Sequence, residues 1–116
     1  MKKNTTTNIY CKFTEDLDKH LLNCFSKDSF TKSMYKSYLW AGDVENCLKG
    51  KDNIIAFRAP GATRGHLKVE KINNDLIIRE IVFYESTCFS HNIGCYKESV
   101  KELIPLYIGK VLELWT

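Results

Sequence analysis

The stretch from Leu67 to Tyr84 leaves the chain the fewest choices. Leu67 to Ile72 alternates, with Leu67 and Val69 on one side and Lys68 and Glu70 on the other, the period-two pattern of a half-buried strand. Asn73-Asn74-Asp75 follows, and these residue types tolerate the positive φ that tight hairpin turns demand. Leu76 to Tyr84 is then β-branched and aromatic, with apolar residues on both faces, which predicts a central strand. Two registers satisfy this pattern. An Asn74-Asp75 turn sets Glu70 opposite Arg79, and an Asn73-Asn74-Asp75 loop sets Lys68 opposite Glu80. Either pair contributes about 0.2–1 kcal/mol, too little to choose between them.

The remaining elements are arranged around this hairpin. Asn53 to Arg58 is a short apolar run bounded by turn formers, so strands are expected near 53–58, 66–72 and 76–85. Upstream, Ile9 to Phe13 suits an edge strand and residues 1–8 a flexible polar tail. Thr14 resembles an N-cap, with Glu15 and Asp16 in the first turn, where the helix dipole favours acids. Leu17, Leu21, Cys24 and Phe25 keep helical spacing, which predicts a helix over 15–26. A second helix is expected over 29–41, with Phe30, Met34, Ser37, Tyr38 and Ala41 on one face and Gly42 as its stop. Asp43 is expected to cap a short turn carrying Val44, Cys47 and Leu48 and closed by Gly50. After a loop over 86–96, Val100, Leu103, Ile104, Tyr107, Val111, Leu114 and Trp115 again fall at helical spacing. Pro105 interrupts them, at about 3 kcal/mol inside a helix. The reading leans to a kinked helix over a helix followed by a strand near 110–115. The expected fold is α+β, with the helices packed on one face of a small antiparallel sheet. Without repeats or a linker, 116 residues make a single domain.

Composition narrows the class further. An apolar fraction of 44% is ordinary for a globular chain and argues against disorder. The net charge of +3 is too mild to argue nucleic-acid binding by itself. The charges are nevertheless segregated: Glu15, Asp16 and Asp18 lie near the start, and Arg58, Arg64, His66 and Lys68 crowd the middle. Abundant Lys, Asn, Ile, Phe and Tyr point to an AT-rich genome, such as that of a low-GC bacterium, its phage or a mobile element. Arg occurs only at 58, 64 and 79. The five cysteines are irregularly spaced, and polar residues follow Met1-Lys2-Lys3 where a secretory signal needs an apolar run. Reduced thiols in the cytoplasm are therefore expected, and no run approaches the roughly 20 apolar residues of a membrane span.

Several constellations carry candidate chemistry. The segment Arg58-Ala59-Pro60-Gly61-Ala62-Thr63-Arg64-Gly65-His66 reads as an exposed hairpin loop. Its glycines would let a ligand approach main-chain N–H groups, and Arg forks match phosphate or carboxylate. The candidate ligand-binding residues are Arg58, Gly61, Thr63, Arg64, Gly65, His66, Lys68 and Arg79, against the alternative of a solvated loop. A second set, Cys88, His91 and Cys95 with Cys24 or His20, could wrap zinc. The spacing lacks the tight pairs usual in zinc sites, so neither metal nor cofactor is expected. A third set, His66, Arg64, Lys68 and Glu80 with Arg58, holds the acid, base and cations that RNA cleavage needs. Two helices followed by an antiparallel sheet is also similar in outline to small bacterial ribonuclease toxins, without a motif that maps onto this chain. Finally, Tyr35, Tyr38, Trp40, Phe83 and Tyr84 could stack a base, although such spacing more often marks core.

These residues lead to the expectation of a non-catalytic binding protein for a nucleotide-like anion or an RNA segment, with the Arg58–His66 loop as its site. A phage or mobile-element accessory role, sequestering a signal or blocking a host factor, fits the composition. The alternatives are a small metal-independent ribonuclease and a protein–protein inhibitor or adaptor. Because a small domain rarely encloses a ligand alone, a homo-oligomer is also expected.

Overall fold

Strand pairing organises the computed structural model, which describes residues 8–24, 36–59, 62–84 and 93–115. β3 (Ile54–Ala59), β4 (Ala62–Ile72) and β5 (Asp75–Phe83) are successive antiparallel neighbours. β2 (Tyr38–Leu39) joins β3, so the four-stranded order is β2-β3-β4-β5. β1 (Tyr10–Cys11) and β6 (Leu114–Trp115) form a separate antiparallel pair. Two single bridges, Ile9 to Leu39 and Ile77 to Val111, link the pair to both ends of the sheet. The backbone pairing thus runs in a closed circuit, with residues 109–115 spanning from β5 to β1. The Ile78 N–H donates to the Lys110 carbonyl (2.9 Å), the Gly109 N–H to that of Ile78 (2.7 Å) and the Leu112 N–H to that of Leu76 (2.8 Å). These bonds cover part of an edge that would otherwise expose unpaired backbone.

This arrangement corrects the expected place of the hairpin's second strand. β5 lies at the edge of the four-stranded sheet, and β4 is central. Only one face of β5 is buried: Leu76, Ile78 and Ile81 enter the core, and Arg79 and Glu80 are exposed. Ile77, apolar but on the other face, is half-buried and bridges to Val111 instead. The turn is Asn73-Asn74, with Ile72 opposite Asp75 and Asn73 at φ 57°. Neither expected turn forms: Glu70 pairs with Ile77 rather than Arg79, and a bulge between Lys68 and Val69, where Arg79 is the extra residue, restores only the expected Lys68–Glu80 pair. Lys68 stands opposite Glu80, and Arg79 Nε still donates to Glu70 Oε1 at 2.8 Å.

Among the described residues the helices are α1 (Lys12–Cys24), α2 (Ala41–Leu48) and α3 (Ile93–Tyr107). α1 begins earlier than the sequence suggests. Thr14 is not the N-cap but lies inside the first turn, where its hydroxyl accepts from the Cys11 N–H (3.0 Å) and donates to the Cys11 carbonyl (2.9 Å). The expected helix over 29–41 is corrected at its end: residues 36–40 are not helical, and Tyr38 and Leu39 pair with Arg58 and Phe57. Tertiary pairing overrides helical spacing here, in a segment whose aromatic residues suit strands. Residues 29–35 of that helix, the tail over 1–7 and the loop over 86–92 lie outside the described residues. Gly42 falls inside α2, and Gly50 (φ 76°) ends it. Asp43 does not cap α2; its carboxylate accepts from the Ala56 N–H at 2.9 Å, tying the helix to β3. α3 already includes residues 93–96, keeps Pro105 in its last turn and stops at Tyr107. Gly109 (φ 88°) then turns the chain into the extended segment, so the continuous kinked helix does not form.

These helices bury apolar residues in one core with the same face of the sheet. Phe13 and Leu17 enter from α1, Val44 and Cys47 from α2, and Val100 and Leu103 from α3. Phe57 is central: its ring lies 5.2 Å from that of Phe13 and 5.4 Å from that of Phe83, edge to face in both cases. The α+β fold with helices on one sheet face is therefore present.

The Phe57–Phe83 contact crosses Gly65, which pairs with both residues. A Cβ on Gly65 would lie 2.0 Å from the Val82 carbonyl oxygen and 2.6 Å from Phe57 Cζ. The carbonyl is backbone and cannot swing aside. Gly65→Ala should therefore cost at least about 1–3 kcal/mol of stability, the usual range for overpacking. Chemical denaturation checks this, and a loss below about 0.5 kcal/mol, typical of surface changes, would contradict the close approach.

Candidate functional site

The segment expected to be a loop is mostly strand. Ala59 pairs with Ala62, and Pro60 and Gly61 between them lie outside the described residues. Phe57 pairs with Gly65 but Arg58 with Thr63, so Arg64 is an extra residue on β4. Such a bulge bends its strand and re-aims a side chain. Arg64 is 0% exposed, and its charge acts on Asp18 of α1. The exposed Arg64 of the sequence reading is thus corrected to a fully buried residue on the helix side of the sheet.

The polar group around Arg64 is built from three elements. Both carboxylate oxygens of Asp18 accept from the Ser37 N–H, at 2.9 and 3.0 Å. Ser37 is buried, next to β2. Burial pushes the Asp18 carboxyl up to about 6, against the lowering effects of the Ser37 hydrogen bonding and of Arg64 and Lys36. Neither Asp18 nor Ser37 could be placed from sequence. Asp18 read only as part of an acidic run, and Ser37 as a position on a helix.

The other sheet face carries Arg58, Thr63, His66 and Lys68 of the predicted residues. On β3, Ile54, Ala56 and Arg58 are half-buried and alternate with the buried Ile55, Phe57 and Ala59. Ladder pairing extends that outer face to Tyr38, Thr63, His66, Lys68, Glu80 and Val82. A row crosses it at Ala56. The Trp40 N–H donates to the Ala56 carbonyl at 2.9 Å, Ala56 pairs with His66, and His66 pairs with Val82. Two aromatic stations flank the small Ala56. On one side the Arg58 guanidinium carbon lies 5.0 Å from the Trp40 ring centroid, within range of a cation–π interaction. On the other, His66 Nδ1 and Tyr84 Oη are 2.6 Å apart. With Nδ1 engaged, Nε2 is the His66 nitrogen left for a ligand. Arg58 Nε is buried without a hydrogen-bond partner. The Trp40–Arg58 stack was invisible to a reading that put Trp40 on a helix.

The acid–base set is therefore divided. His66, Lys68 and Glu80 share the outer face, while Arg64 lies on the other side. Gly65 is buried in β4, where it provides packing space, and Thr63 is half-buried opposite Arg58. Arg79 is occupied by Glu70 near the far hairpin turn and is not brought to Arg58. The zinc positions Cys88 and His91 lie outside the described residues, as do the side chains of Cys24 and Cys95. Cys11 and Cys47 are free and buried, and burial raises both thiols. An apolar cavity of about 300 Å³ opens elsewhere, between Phe13, Ile78, Leu106 and Tyr107, and none of the candidate residues lines it. Among the described residues no helix is long and apolar enough to cross a membrane.

Comparison with family models, curated proteins and solved structures finds no match. The reading of the site rests on its chemistry.

The Asp18 environment has a pH signature. Its folded value of about 6 lies above the ordinary carboxylate value of 3.8. A raised folded value means the native state holds the proton more tightly, so its contribution is fully present below pH 4. It is lost as the pH rises towards about 6. Asp18→Asn removes this titration while keeping an acceptor for Ser37. Its stability relative to wild type should rise between about pH 4 and pH 6 in denaturation curves. A relative stability that falls across that window would contradict the assignment.

Proposed function

We propose that the protein is a non-catalytic binder of single-stranded nucleic acid, or of a nucleotide-like anion of the same chemistry, and that the outer sheet face is its site. The observation that carries this reading is the Arg58 guanidinium against Trp40, across Ala56 from the His66–Tyr84 pair. Aromatic side chains on an open sheet face stack unpaired bases without demanding a sequence, and a neighbouring cation meets the phosphate. Arg58 suits both tasks, because guanidinium stacks on rings and forks onto phosphate. The unpartnered Arg58 Nε supports the same reading, since a ligand oxygen would satisfy it. The burial of Arg64 weighs against both the loop site and the ribonuclease set, each of which needs its charge at the surface.

Few cations share the face, and Lys68 stands opposite Glu80. Affinity should therefore depend weakly on salt, with a slope of log K against log salt of about −1 to −2, or roughly 0.7 per phosphate contacted. Fluorescence anisotropy with a labelled single-stranded oligonucleotide tests the reading. Arg58→Ala should weaken binding by about 1.5–3 kcal/mol, the size of a hydrogen bond to a charged group. Arg58→Lys should recover only part of that, since Lys keeps the charge and loses the planar fork. No binding, or binding indifferent to Arg58, would contradict it, and cleavage of an RNA strand lost with His66→Ala would replace it with the nuclease reading.

A further inference from the structure

Ala56 carries the smallest side chain among the described residues of the outer face. Its neighbours along the row are Trp40 and His66, each one strand away. Strands lie about 4.8 Å apart, so the main chains carrying the two rings are separated by about 10 Å. A flat ring stacked between two others needs two spacings of about 3.4 Å, or about 7 Å. The methyl of Ala56 is the smallest side chain of this row, and its backbone is locked beneath it: the carbonyl accepts from Trp40 and the N–H donates to Asp43. The walls are held as well, by Arg58 against Trp40 and by the Tyr84 hydroxyl on His66 Nδ1. Further along β3, Arg58 places a cation with an unsatisfied Nε at one end of the trough.

We propose that this trough is a slot for one unpaired nucleobase, lying on Ala56 between Trp40 and His66, with the adjoining phosphate on Arg58. The inference rests on the reading of the outer face given above and narrows it to single strands. A base in a duplex is stacked above and below by its neighbours and cannot enter. An oligonucleotide without bases keeps the phosphates and has nothing to insert. The floor must be small, so residue size at position 56 controls binding although Ala56 itself carries no recognition chemistry.

The test uses the full chain and a purine probe, since purines offer the largest stacking surface. The probes are single-stranded octamers of adenylate in RNA and DNA form, an abasic octamer, and the duplex of the RNA octamer with its complement. Trp115→Phe leaves Trp40 as the sole tryptophan, so its fluorescence reports on the slot. The octamers with bases should quench Trp40, while the abasic strand and the duplex bind at least tenfold more weakly and leave it unchanged. Ala56→Leu should weaken octamer binding at least tenfold with an unchanged melting temperature. Ala56→Val, a smaller filling, serves if the leucine variant does not fold, and its effect should be intermediate. Octamer binding that leaves Trp40 fluorescence and the Ala56 variants unaffected would overturn the slot while leaving the outer-face reading intact. Equal binding of the duplex or the abasic strand would also overturn it. Failure of every probe to bind would overturn both.

Discussion

Between the Phe57–Gly65 and Arg58–Thr63 pairs, β4 carries one residue more than β3, and that residue is Arg64. With perfect alternation, Arg64 and His66 would share a face with Arg58. The bulge breaks the alternation and turns Arg64 into the core side, opposite Asp18. The next residue, Gly65, admits the Phe57 and Phe83 rings across it. Arg58 and His66 stay outside. A sequence segment that looks like one cationic loop is therefore two environments, a buried charged group that helps to hold α1 on the sheet and an outer surface carrying a cation beside aromatic rings.

A buried guanidinium is weak evidence for stability, because desolvation offsets the attraction to its partner. Its value here is positional. Asp18 accepts from the Ser37 N–H and feels the Arg64 charge, so one carboxylate links α1 to the start of β2 by hydrogen bonds and to β4 by charge attraction. β2 in turn brings Tyr38 and Trp40 onto the outer face beside Arg58. The Tyr107 hydroxyl on Asp16 fastens α3 to the same helix. The inner polar contacts thus set the geometry of the outer face, although none of them touches it.

The parts of this structure legible in the sequence are those written in local periodicity. The hairpin between Ile72 and Leu76, the buried stripe of Leu67 and Val69, and the helix carrying Leu17 follow from spacing and turn chemistry, although the turn falls on Asn73-Asn74 and the helix begins early enough to take in Phe13. What failed depends on long-range pairing. Ser37 and Tyr38 keep helical spacing, but the backbone of Tyr38 and Leu39 is claimed by β3 and Ile9. Leu76 to Tyr84 looks central because both faces are apolar, yet its outer edge pairs only with the returning segment near Val111 rather than with a full neighbouring strand. A bulge has no marker in a single sequence, so Arg64 and His66 could not be assigned to opposite sides. Of the candidate site, Arg58, Thr63 and His66 carry recognisable chemistry but read as a loop, whereas Lys68 reads as the strand residue it is. Ala56 was missed because a small residue in a strand shows its meaning only when its cross-strand neighbours are known.

The central claim is that recognition lies on the face carrying Trp40, Ala56, Arg58, His66 and Tyr84, opposite the face that holds Arg64. Backbone amide chemical-shift mapping, with a short single-stranded oligonucleotide added to the labelled protein, tests it most directly. The account predicts perturbations that centre on Ala56, Arg58, His66 and Val82 with the Trp40 indole N–H, while Leu106, Tyr107 and the cavity beside them stay unchanged. Perturbations centred on that cavity, or absent from the outer face, would contradict it.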